Sequence, residues 1–551
     1  MCTRQRKEPG KNRFVDANPA TSTQRSGSYC FKTFKTWEEP PKYYVYDAIN
    51  YAVFAVSPLE HQLLSNDGMS SIPPTHEEFK NVPKAVVDAA SGRLQRILGI
   101  LPDNGFSLEL SLGQKSQEAL KKHLNQNLYL NVTENCNLQC TYCFFSGNYE
   151  NMRKHAPENM PWSVARESIN RFLAHNHEIA DRQRSIVFFG GEPLLCFPFI
   201  KRSMDYISLR YKGLDNIRYH VFTNGLLLDD ASLCRELVRR NVFLWVSVDG
   251  PMHDRNRIDR NNQPTLNRIE RRLSRLRGRF PTYYKKNVAL IYLQTPPFDV
   301  EALYRFFCTF SPAQDVASID GDLLFGPLYD EAMDSYRRAR TMCGWLFIKS
   351  NLRPSVERER LWSFTLSRIF FSRKLFKLYY LFSDHATHID LNQPQPALGL
   401  HTPGLQTTVV GVDGAYYPEV ECQDKRFVIG SACRGYDINR IHSLLARFEA
   451  TISAGSDPCC KCWANRVCSL EYKDFCFPPE ASSSQISQIL AAKKRICQKE
   501  RDDISTMLSC FQTVFNQSAE REPFEFISRR VQLSNDNLIP GSFLEPDTVG
   551  R

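Results

Sequence analysis

Three cysteines stand close together directly after a predicted strand and have the spacing of ligands to one metal centre. Cys136, Cys140 and Cys143 form the pattern C-x3-C-x2-C, which lets three thiolates on a tight loop converge. Soft sulfur ligands favour zinc or an iron–sulfur cluster. A closed structural site needs a fourth ligand nearby, but the next cysteine is Cys196. The spacing therefore indicates a cluster with one iron left open for a substrate or cofactor.

A second group of cysteines lies near the C-terminus. Cys459, Cys462 and Cys468 have the spacing C-x2-C-x5-C, and Cys476 and Cys497 follow. Three thiolates this close form a compact metal-binding claw, for which a structural zinc ion is one candidate. The fourth ligand must return from elsewhere in the chain, and Cys476 and Cys497 are the two candidates.

The elements that must position these cysteines alternate between strands and helices. Short apolar runs are separated by amphipathic helical patterns, an order that predicts an α/β fold with a mainly parallel sheet or partial barrel. The predicted strands cover residues 128–132, 185–189, 218–222, 243–248 and 287–293.

Composition restricts the class of protein. The chain has 551 residues, which predicts two to four domains, and its 42% hydrophobic and 24% charged residues are typical of globular proteins. There is no apolar run long enough to span a membrane and no secretory signal. Eighteen cysteines without an export signal indicate a reducing, cytoplasmic location. The net charge of +10 is interpreted as solvated helix faces, with a surface for an anionic cofactor or an acidic peptide as the alternative. No motif predicts nucleic-acid binding.

The first cysteine motif resembles that of the radical S-adenosylmethionine (radical SAM) superfamily, in which an aromatic residue, here Tyr142, precedes the third cysteine. The resemblance implies a [4Fe–4S] cluster held by Cys136, Cys140 and Cys143, whose open iron is chelated by S-adenosylmethionine. It also implies an electron donor such as flavodoxin or ferredoxin and a 5′-deoxyadenosyl radical that abstracts hydrogen. The chain would position the reactants and exclude water.

Further motifs of this family follow in the family's order. Segments similar to GGEP, TNG and S-x-D-G-P begin at Gly190, Thr223 and Ser247, each at the end of a predicted strand. The resemblance implies that Glu192 accepts the methionine ammonium group, but it assigns no catalytic base. The predicted cofactor pocket consists of Tyr142, Gly190, Gly191, Glu192, Thr223, Asn224, Ser247 and Asp249.

The C-terminal cysteines resemble the SPASM extension of radical enzymes that modify peptides, which carries auxiliary iron–sulfur clusters. The chain departs from that pattern: Tyr472 stands at the position of its fourth cysteine, and Glu419 replaces the cysteine of its YPC segment. One complete auxiliary cluster is therefore predicted, and a second would need Cys422, Cys433 or unusual ligands such as His401 and Glu419. The predicted auxiliary ligands are Cys459, Cys462, Cys468 and either Cys476 or Cys497.

These observations predict a partial (β/α)6 barrel with additions at both ends. The block before the barrel resembles the small winged-helix module of peptide maturases, which offers an exposed strand edge to an extended peptide; a helical cap on the barrel is the alternative. The predicted segments are a disordered leader (1–35), the small module (36–125), the radical SAM core (126–345), a helical connector (346–404), the SPASM-like domain (405–500) and a helical, then irregular tail (501–551).

The function predicted from this resemblance is modification of a ribosomal precursor peptide, most simply by a thioether or related crosslink. The alternative is a maturase that forms formylglycine on a sulfatase. In that family an Asp follows the cysteine of the YPC segment, whereas here Val420 follows Glu419 and Gln423 follows Cys422, which disfavours it. A non-catalytic iron–sulfur or zinc scaffold is the alternative of another class. The expected partners are a precursor peptide and an electron donor, with no nucleic acid and no membrane.

Overall fold

The structure is a computed structural model that describes residues 29–50, 52–64, 68–70, 81–101, 105–106, 110, 112–149, 152–323, 333–352, 402–456, 458–470 and 472–517. Most of the predicted leader and connector, His401, and the end of the predicted tail lie outside the described residues. None of the described helices is long and apolar enough to cross a membrane.

The N-terminal module is a four-stranded antiparallel sheet with strand order β3-β2-β1-β4. Its own small core contains Phe31, Val45 and Leu94, each fully buried. The elements are β1 (Tyr29–Lys35), β2 (Tyr43–Asp47), β3 (Ala52–Val56), α1 (Pro58–Leu63), β4 (Gly68–Ser70), α2 (Lys84–Ile97) and α3 (Gln114–Lys121).

The prediction of a disordered leader over residues 1–35 is wrong at its C-terminal end, where β1 forms. Residues 29–35 were expected to be disordered, but they pair with β2 on one side and with β4 on the other. The physical reason is the run of Tyr29, Phe31 and Phe34, whose rings are buried, so that ordering this segment removes much apolar surface from water. The winged-helix assignment of the module stays a prediction.

Six parallel strands that follow one another along the sequence form the barrel part of the large sheet, which confirms the predicted α/β architecture. Five of these strands match the predicted ones. The sixth was missed because its sequence, SIDGDL, has few apolar residues. The strands are β5 (Asn127–Thr133), β6 (Arg184–Gly190), β7 (Ile217–Thr223), β8 (Phe243–Ser247), β9 (Val288–Gln294) and β10 (Ser318–Leu323).

Helices connect these strands and cover the sheet. Because parallel strands point the same way, the segments that follow β5 to β8 all emerge at one edge, where the predicted motifs meet. The helices are α4 (Trp162–Ala174), α5 (Phe197–Arg210), α6 (Ala231–Arg239), α7 (His253–Asn256), α8 (Leu266–Arg279), α9 (Pro281–Asn287), α10 (Val300–Thr309) and α11 (Met333–Leu352).

A buried arginine at the start of β6 holds the opposite edge of the sheet together. The guanidinium of Arg184 donates to the carbonyl oxygens of His123, Asn125 and Phe172 at 2.8, 3.0 and 2.6 Å. Burial lowers the pKa of Arg184 to about 9, so the side chain stays charged at neutral pH. A single guanidinium thereby donates hydrogen bonds to three buried carbonyl oxygens that have no partner within a strand or helix.

The C-terminal region continues the barrel sheet. Strand β11 pairs in parallel with β5, and three short antiparallel strands extend the sheet beyond it. The last helix runs through the predicted domain boundary at residue 500. The elements are β11 (Thr407–Val410), β12 (Ala415–Tyr417), β13 (Gly430–Ser431), β14 (Gly435–Tyr436), α12 (Ile438–Ser453) and α13 (Ser483–Gln517).

Candidate functional site

The three-cysteine loop leaves the carboxyl end of β5 and is held in place by its own backbone. Gln139 N donates to Ile258 O at 2.9 Å, and Thr141 N donates to Asn256 O at 3.0 Å, so the loop lies along the segment after β8. The cysteines are mostly shielded from water, and burial raises the pKa of Cys136 to about 12 and that of Cys140 to about 11. The thiolate is the form that binds a metal, so metal binding would have to offset the free-energy cost of deprotonating these buried thiols.

A buried carboxylate at the end of β8 organises one side of this loop. Asp249 is fully buried and accepts from Tyr142 Oη at 2.6 Å and from Arg257 Nε at 2.8 Å. Arg257 Nη1 lies 3.9 Å from Cys140 Sγ. Burial opposes the charge of Arg257, but the Asp249 carboxylate raises the pKa of Arg257 well above its ordinary value. The predicted pocket residues Tyr142 and Asp249 thus hold a permanent positive charge beside the cysteines.

The two glycines at the end of β6 allow the backbone of β6 to pack directly against the backbone at the start of the cysteine loop. A Cβ atom on Gly190 would lie 2.1 Å from Thr133 O, and one on Gly191 would lie 2.1 Å from Asn135 O. The backbone N–H groups of Gly191 and Glu192 donate to these same carbonyls at 2.8 Å. Only glycine permits this packing, which joins the end of β6 to the start of the cysteine loop.

Glu192 ties the ends of β6 and β7 together. The side chain is 1% exposed, and it accepts from Thr223 Oγ1 at 2.8 Å, from Asn224 N at 2.7 Å and from Leu194 N at 3.0 Å. Burial raises the pKa of Glu192 to about 7. The carboxylate therefore already has three donors from the chain itself, and its contact with a methionine ammonium stays a prediction.

The remaining predicted pocket residues lie at the same edge of the sheet. Asn224 Nδ2 donates to Asn137 Oδ1 at 2.7 Å, which connects the TNG segment to the cysteine loop. Ser247 ends β8 and is half-buried. The structure thus brings the cysteine loop and the three downstream motifs to one place, although they are spread over more than a hundred residues of sequence.

Two residues of the site carry no sequence signal that could have identified them in advance. His155 Nδ1 lies 3.0 Å from Glu134 O, and His155 Nε2 lies 3.5 Å from Cys143 Sγ. Because a carbonyl only accepts, the proton is on Nδ1, and Nε2 faces the sulfur as an acceptor. The other residue is Arg153, on the same segment. Both belong to a polar loop without a motif, and only folding brings them to the cysteines.

The C-terminal claw, which consists of Cys459, Cys462 and Cys468, lies around an apolar cavity that Cys497 also lines. Burial, together with the nearby Cys459 and Cys462, raises the pKa of Cys497 to about 12. Cys476 lies apart, with its Sγ 3.6 Å from Phe477 O. Of the two predicted fourth ligands, the structure brings Cys497 to the claw. The cavity is lined by Phe448, Ile452, Cys459, Cys462, Ala464, Asn465, Cys468, Leu470, Phe475, Cys497, Glu500 and Arg501.

The candidate ligands of a second auxiliary cluster occupy different environments. Cys422 is fully buried, whereas Cys433 is exposed and lies 3.4 Å from Ser431 Oγ. Glu419 is buried and lies near enough to Cys422 to act on the charge of its thiolate. A second auxiliary cluster at these residues stays a prediction.

Both cysteine groups have donor sets that fit iron–sulfur clusters. The first offers three thiols on one loop, with the guanidinium of Arg257 beside them to balance negative charge. The second offers four thiols around one cavity. Cysteine thiolates are the usual protein ligands of [4Fe–4S] clusters, so a three-thiol site leaves one iron without a protein ligand and a four-thiol site leaves none.

Comparison with known proteins agrees with this geometry. Residues 130–307 match the radical SAM superfamily. The cysteine-type anaerobic sulfatase-maturating enzyme of Clostridium perfringens (strain 13 / Type A) is 29% identical over 204 residues, 36% of this chain and 52% of that protein. The radical SAM cyclopropyl synthase TigE of Paramaledivibacter caminithermalis is 32% identical over 137 residues, 22% of this chain and 27% of that protein.

Among solved structures, that of native anSMEcpe with bound AdoMet is 20% identical and superimposes with a TM-score of 0.48, covering 71% of this chain and 98% of the other. The chain spans about half or less of the length of the curated relatives that it matches first. The match to the radical SAM superfamily covers residues 130–307, and the SPASM-like character of the cysteine-rich C-terminal region stays a prediction.

Proposed function

We propose that this chain is a radical SAM enzyme that modifies a peptide. The observation that carries the proposal is the convergence of the three-cysteine loop, the glycine turn, Glu192 and the Asp249–Arg257 pair at one edge of a parallel sheet. The [4Fe–4S] cluster with S-adenosylmethionine bound would supply a 5′-deoxyadenosyl radical for hydrogen abstraction. Cys136, Cys140 and Cys143 would hold the cluster.

The pocket residues of the chain have structural tasks in this proposal. Arg257 compensates the negative charge of three thiolates, and Asp249 keeps the guanidinium in position. Glu192 fixes the TNG segment against the glycine turn. The rigid, mostly buried arrangement keeps water away from a reactive radical, and Ser247 and Asn224 offer polar groups to the bound cofactor.

The substrate class rests on the N-terminal module. Strand β3 lies at the edge of its sheet, and β2 is its only neighbour there among the described residues. The outer edge of a strand presents backbone N–H and C=O groups to which an extended peptide can add as a further strand, although in β3 the Ala55 carbonyl already accepts from Arg93 Nη2 at 3.1 Å. We therefore propose that a precursor peptide binds along β3, and that the enzyme joins a cysteine sulfur to a carbon in a thioether or related crosslink.

Two further parts of the proposal follow from the same chemistry. A second [4Fe–4S] cluster held by Cys459, Cys462, Cys468 and Cys497 would accept the electron that is left after the sulfur–carbon bond forms. Reduction of the first cluster needs a one-electron donor, for which flavodoxin or ferredoxin is suited. Both clusters suit a reducing, cytoplasmic location.

Mass spectrometry of a precursor peptide tests this function. A short cysteine-rich precursor peptide is co-expressed with the wild-type chain or with the Cys136→Ala variant. Crosslinking removes two hydrogen atoms, one from sulfur and one from carbon, and keeps the sulfur. The peptide should lose these hydrogens with the wild type and stay unchanged with the variant. An unchanged peptide with both proteins would contradict the proposed substrate class.

Formylglycine formation is the second candidate, because sulfatase-maturating enzymes are among the relatives. The same experiment with a sulfatase peptide separates the two functions, since conversion of cysteine to formylglycine removes the sulfur atom. The residue after Cys422 is Gln423, whose amide has no basic group. This favours the crosslinking function.

A further inference from the structure

The segment after the cysteine loop carries an arginine whose guanidinium is held rigidly but is only partly used. Arg153 Nε donates to Gln423 Oε1 at 2.9 Å, and its guanidinium carbon lies 3.4 Å from the centroid of the Phe145 ring. Gln423 Oε1 also accepts from Asn131, a fully buried residue of β5. The ring and the amide together fix the plane of the guanidinium at the junction between the barrel and the C-terminal extension.

The two terminal nitrogens of this guanidinium have nothing to bind in the part of the chain that the structure describes. Arg153 Nη1 and Nη2 are both buried, and neither has a hydrogen-bond partner there. Burial lowers the pKa of Arg153 to about 10, which leaves the group charged at neutral pH. A buried cation with unpaired donors is costly, and such an unsatisfied group indicates a missing ligand.

The surroundings place this charge beside the three-cysteine loop. The groups whose charges act on Arg153 are Glu134, Cys143, Tyr417 and Cys136. Two are cysteines of the loop, Glu134 precedes the loop, and Tyr417 belongs to β12 of the extension. A molecule that met both terminal nitrogens would therefore lie between the proposed cluster and the extension.

We propose that Arg153 Nη1 and Nη2 bind a carboxylate at this junction. The planar guanidinium offers two parallel N–H donors that match the two oxygens of a carboxylate. Two molecules of the proposed reaction carry such a group: S-adenosylmethionine, through its methionine carboxylate, and the peptide, through an acidic side chain or its C-terminus. The inference rests on the proposed function for these two sources.

The test compares two variants of Arg153 with a matched control. Arg153→Met keeps the apolar stem and removes the charge, and Arg153→Lys keeps the charge but loses the parallel donors. Arg260→Met is the control, because Arg260 is exposed and donates to Asn135 Oδ1 at 2.6 Å beside the same loop. Each protein is reconstituted anaerobically to equal iron content and studied without reductant, so that binding is measured and not turnover.

The first measurement compares S-adenosylmethionine with its decarboxylated analogue by equilibrium dialysis. If Arg153 binds the methionine carboxylate, Arg153→Met weakens S-adenosylmethionine binding by about tenfold or more, the ratio expected for loss of a charge-assisted pair. Binding of the decarboxylated analogue is then unchanged, Arg153→Lys is intermediate, and Arg260→Met resembles the wild type.

The second measurement addresses a carboxylate of the peptide, with propionate and the neutral propionamide as probes. If that is the source, propionate raises the melting temperature of the wild type, propionamide does not, and Arg153→Met abolishes the difference. The comparison is run with and without S-adenosylmethionine. It therefore still tests Arg153 if the wild type binds no S-adenosylmethionine, a result that would count against the proposed function alone. If neither comparison depends on Arg153, the carboxylate site is wrong.

Discussion

His220 is a buried imidazole whose protonation state is fixed by its two neighbours. Trp245 Nε1 donates to His220 Nδ1 at 3.3 Å, and His220 Nε2 lies 3.3 Å from Ser185 Oγ. Since the indole only donates, Nδ1 is the acceptor and the proton is on Nε2. Burial lowers the pKa of His220 to about 3, so the ring is neutral in the folded protein at every physiological pH.

We predict that His220 makes the folded protein less stable in mild acid. The ordinary histidine pKa is about 6.5. Below that pH His220 binds a proton in the unfolded chain but not in the folded chain, so the free energy of unfolding decreases as the pH falls from there towards 3. At pH 5 the loss is about 2 kcal/mol. His220→Gln should show a correspondingly smaller loss in unfolding free energy between pH 7 and pH 5. The exposed control His442→Gln should behave like the wild type, and equal pH dependence of all three proteins would contradict the prediction.

Glu192 accepts three hydrogen bonds from groups of the chain itself. Replacing it with Ala leaves Thr223 Oγ1 and two backbone N–H groups buried without an acceptor, which costs about 1–3 kcal/mol for each unpaired group. We predict that Glu192→Ala weakens S-adenosylmethionine binding by about tenfold and leaves the iron content unchanged. Glu167→Ala, on the outer face of α4, is the control. Parallel loss of iron and binding would instead assign Glu192 to cluster assembly.

The sequence was sufficient to predict the residues of the site that belong to motifs, because chemistry restricts their type and spacing. The cysteine loop and the glycine turn are of this kind. It could not predict Arg153, His155 or Gln423, because these reach the site through packing between segments that are distant in sequence. Nothing in the local pattern of a polar loop distinguishes such a residue from a solvated one.

Among the elements, the start of α13 and the C-terminal claw form one unit. Helix α13 carries Cys497 to a cavity lined by the three claw cysteines. The sequence left Cys476 and Cys497 as equal candidates, because either can return to the claw. Cys476 instead follows Phe475, which packs on Phe448 with ring centroids 5.9 Å apart, and its sulfur lies near its own backbone.

We predict that Cys497→Ala removes the auxiliary cluster and Cys476→Ala does not. The wild type should contain about eight irons per chain, two [4Fe–4S] clusters, and Cys497→Ala about four. Iron and sulfide analysis of anaerobically reconstituted protein measures this, with Cys476→Ala as the matched control at about eight. Four irons in the wild type, with bound zinc, would assign the claw to a structural zinc site. About twelve irons would reveal a second auxiliary cluster.

The strands with a strong hydrophobic pattern were predicted from the sequence. A strand that forms mainly because a neighbouring strand pairs with it was missed. Strands β5 to β9 are apolar enough to be identified from sequence. Strand β10 contains two aspartates and a glycine, and it forms because β9 offers a parallel neighbour along its whole length. Strand β1 differs from β10, because it has an apolar pattern of its own in Tyr29, Phe31 and Phe34, which the polar residues before it concealed.

In the part of the chain that the structure describes, one large core crosses the predicted domain boundaries. Its buried residues come from β1, from the barrel and from α13. Trp37 N donates to Thr513 Oγ1 at 2.9 Å, and the rings of Phe347 and Phe511 stack with centroids 4.9 Å apart. The N-terminal module and the last helix are therefore packed against each other, a long-range contact that composition and periodicity do not encode.

We predict that damage to α13 destabilises the entire chain. Phe511 is fully buried, and Phe511→Ala should cost about 3–5 kcal/mol through the cavity that it leaves. Calorimetry should show the whole protein melting at a lower temperature in a single transition. Leu209→Ala, at a position that is 73% exposed, should change stability by less than about 0.5 kcal/mol. A separate early transition of α13, with the barrel unaffected, would contradict a shared core.

We propose that radical chemistry on S-adenosylmethionine takes place at the edge of the sheet where Cys136, Cys140 and Cys143 lie. The most direct test is chromatographic measurement of 5′-deoxyadenosine after the anaerobically reconstituted chain is incubated with S-adenosylmethionine and dithionite. The wild type should form 5′-deoxyadenosine. The variant with all three cysteines changed to Ala should form none while keeping about four irons in the C-terminal claw. No product from the fully reconstituted wild type, or equal product from the triple variant, would show that these three cysteines do not form a radical site.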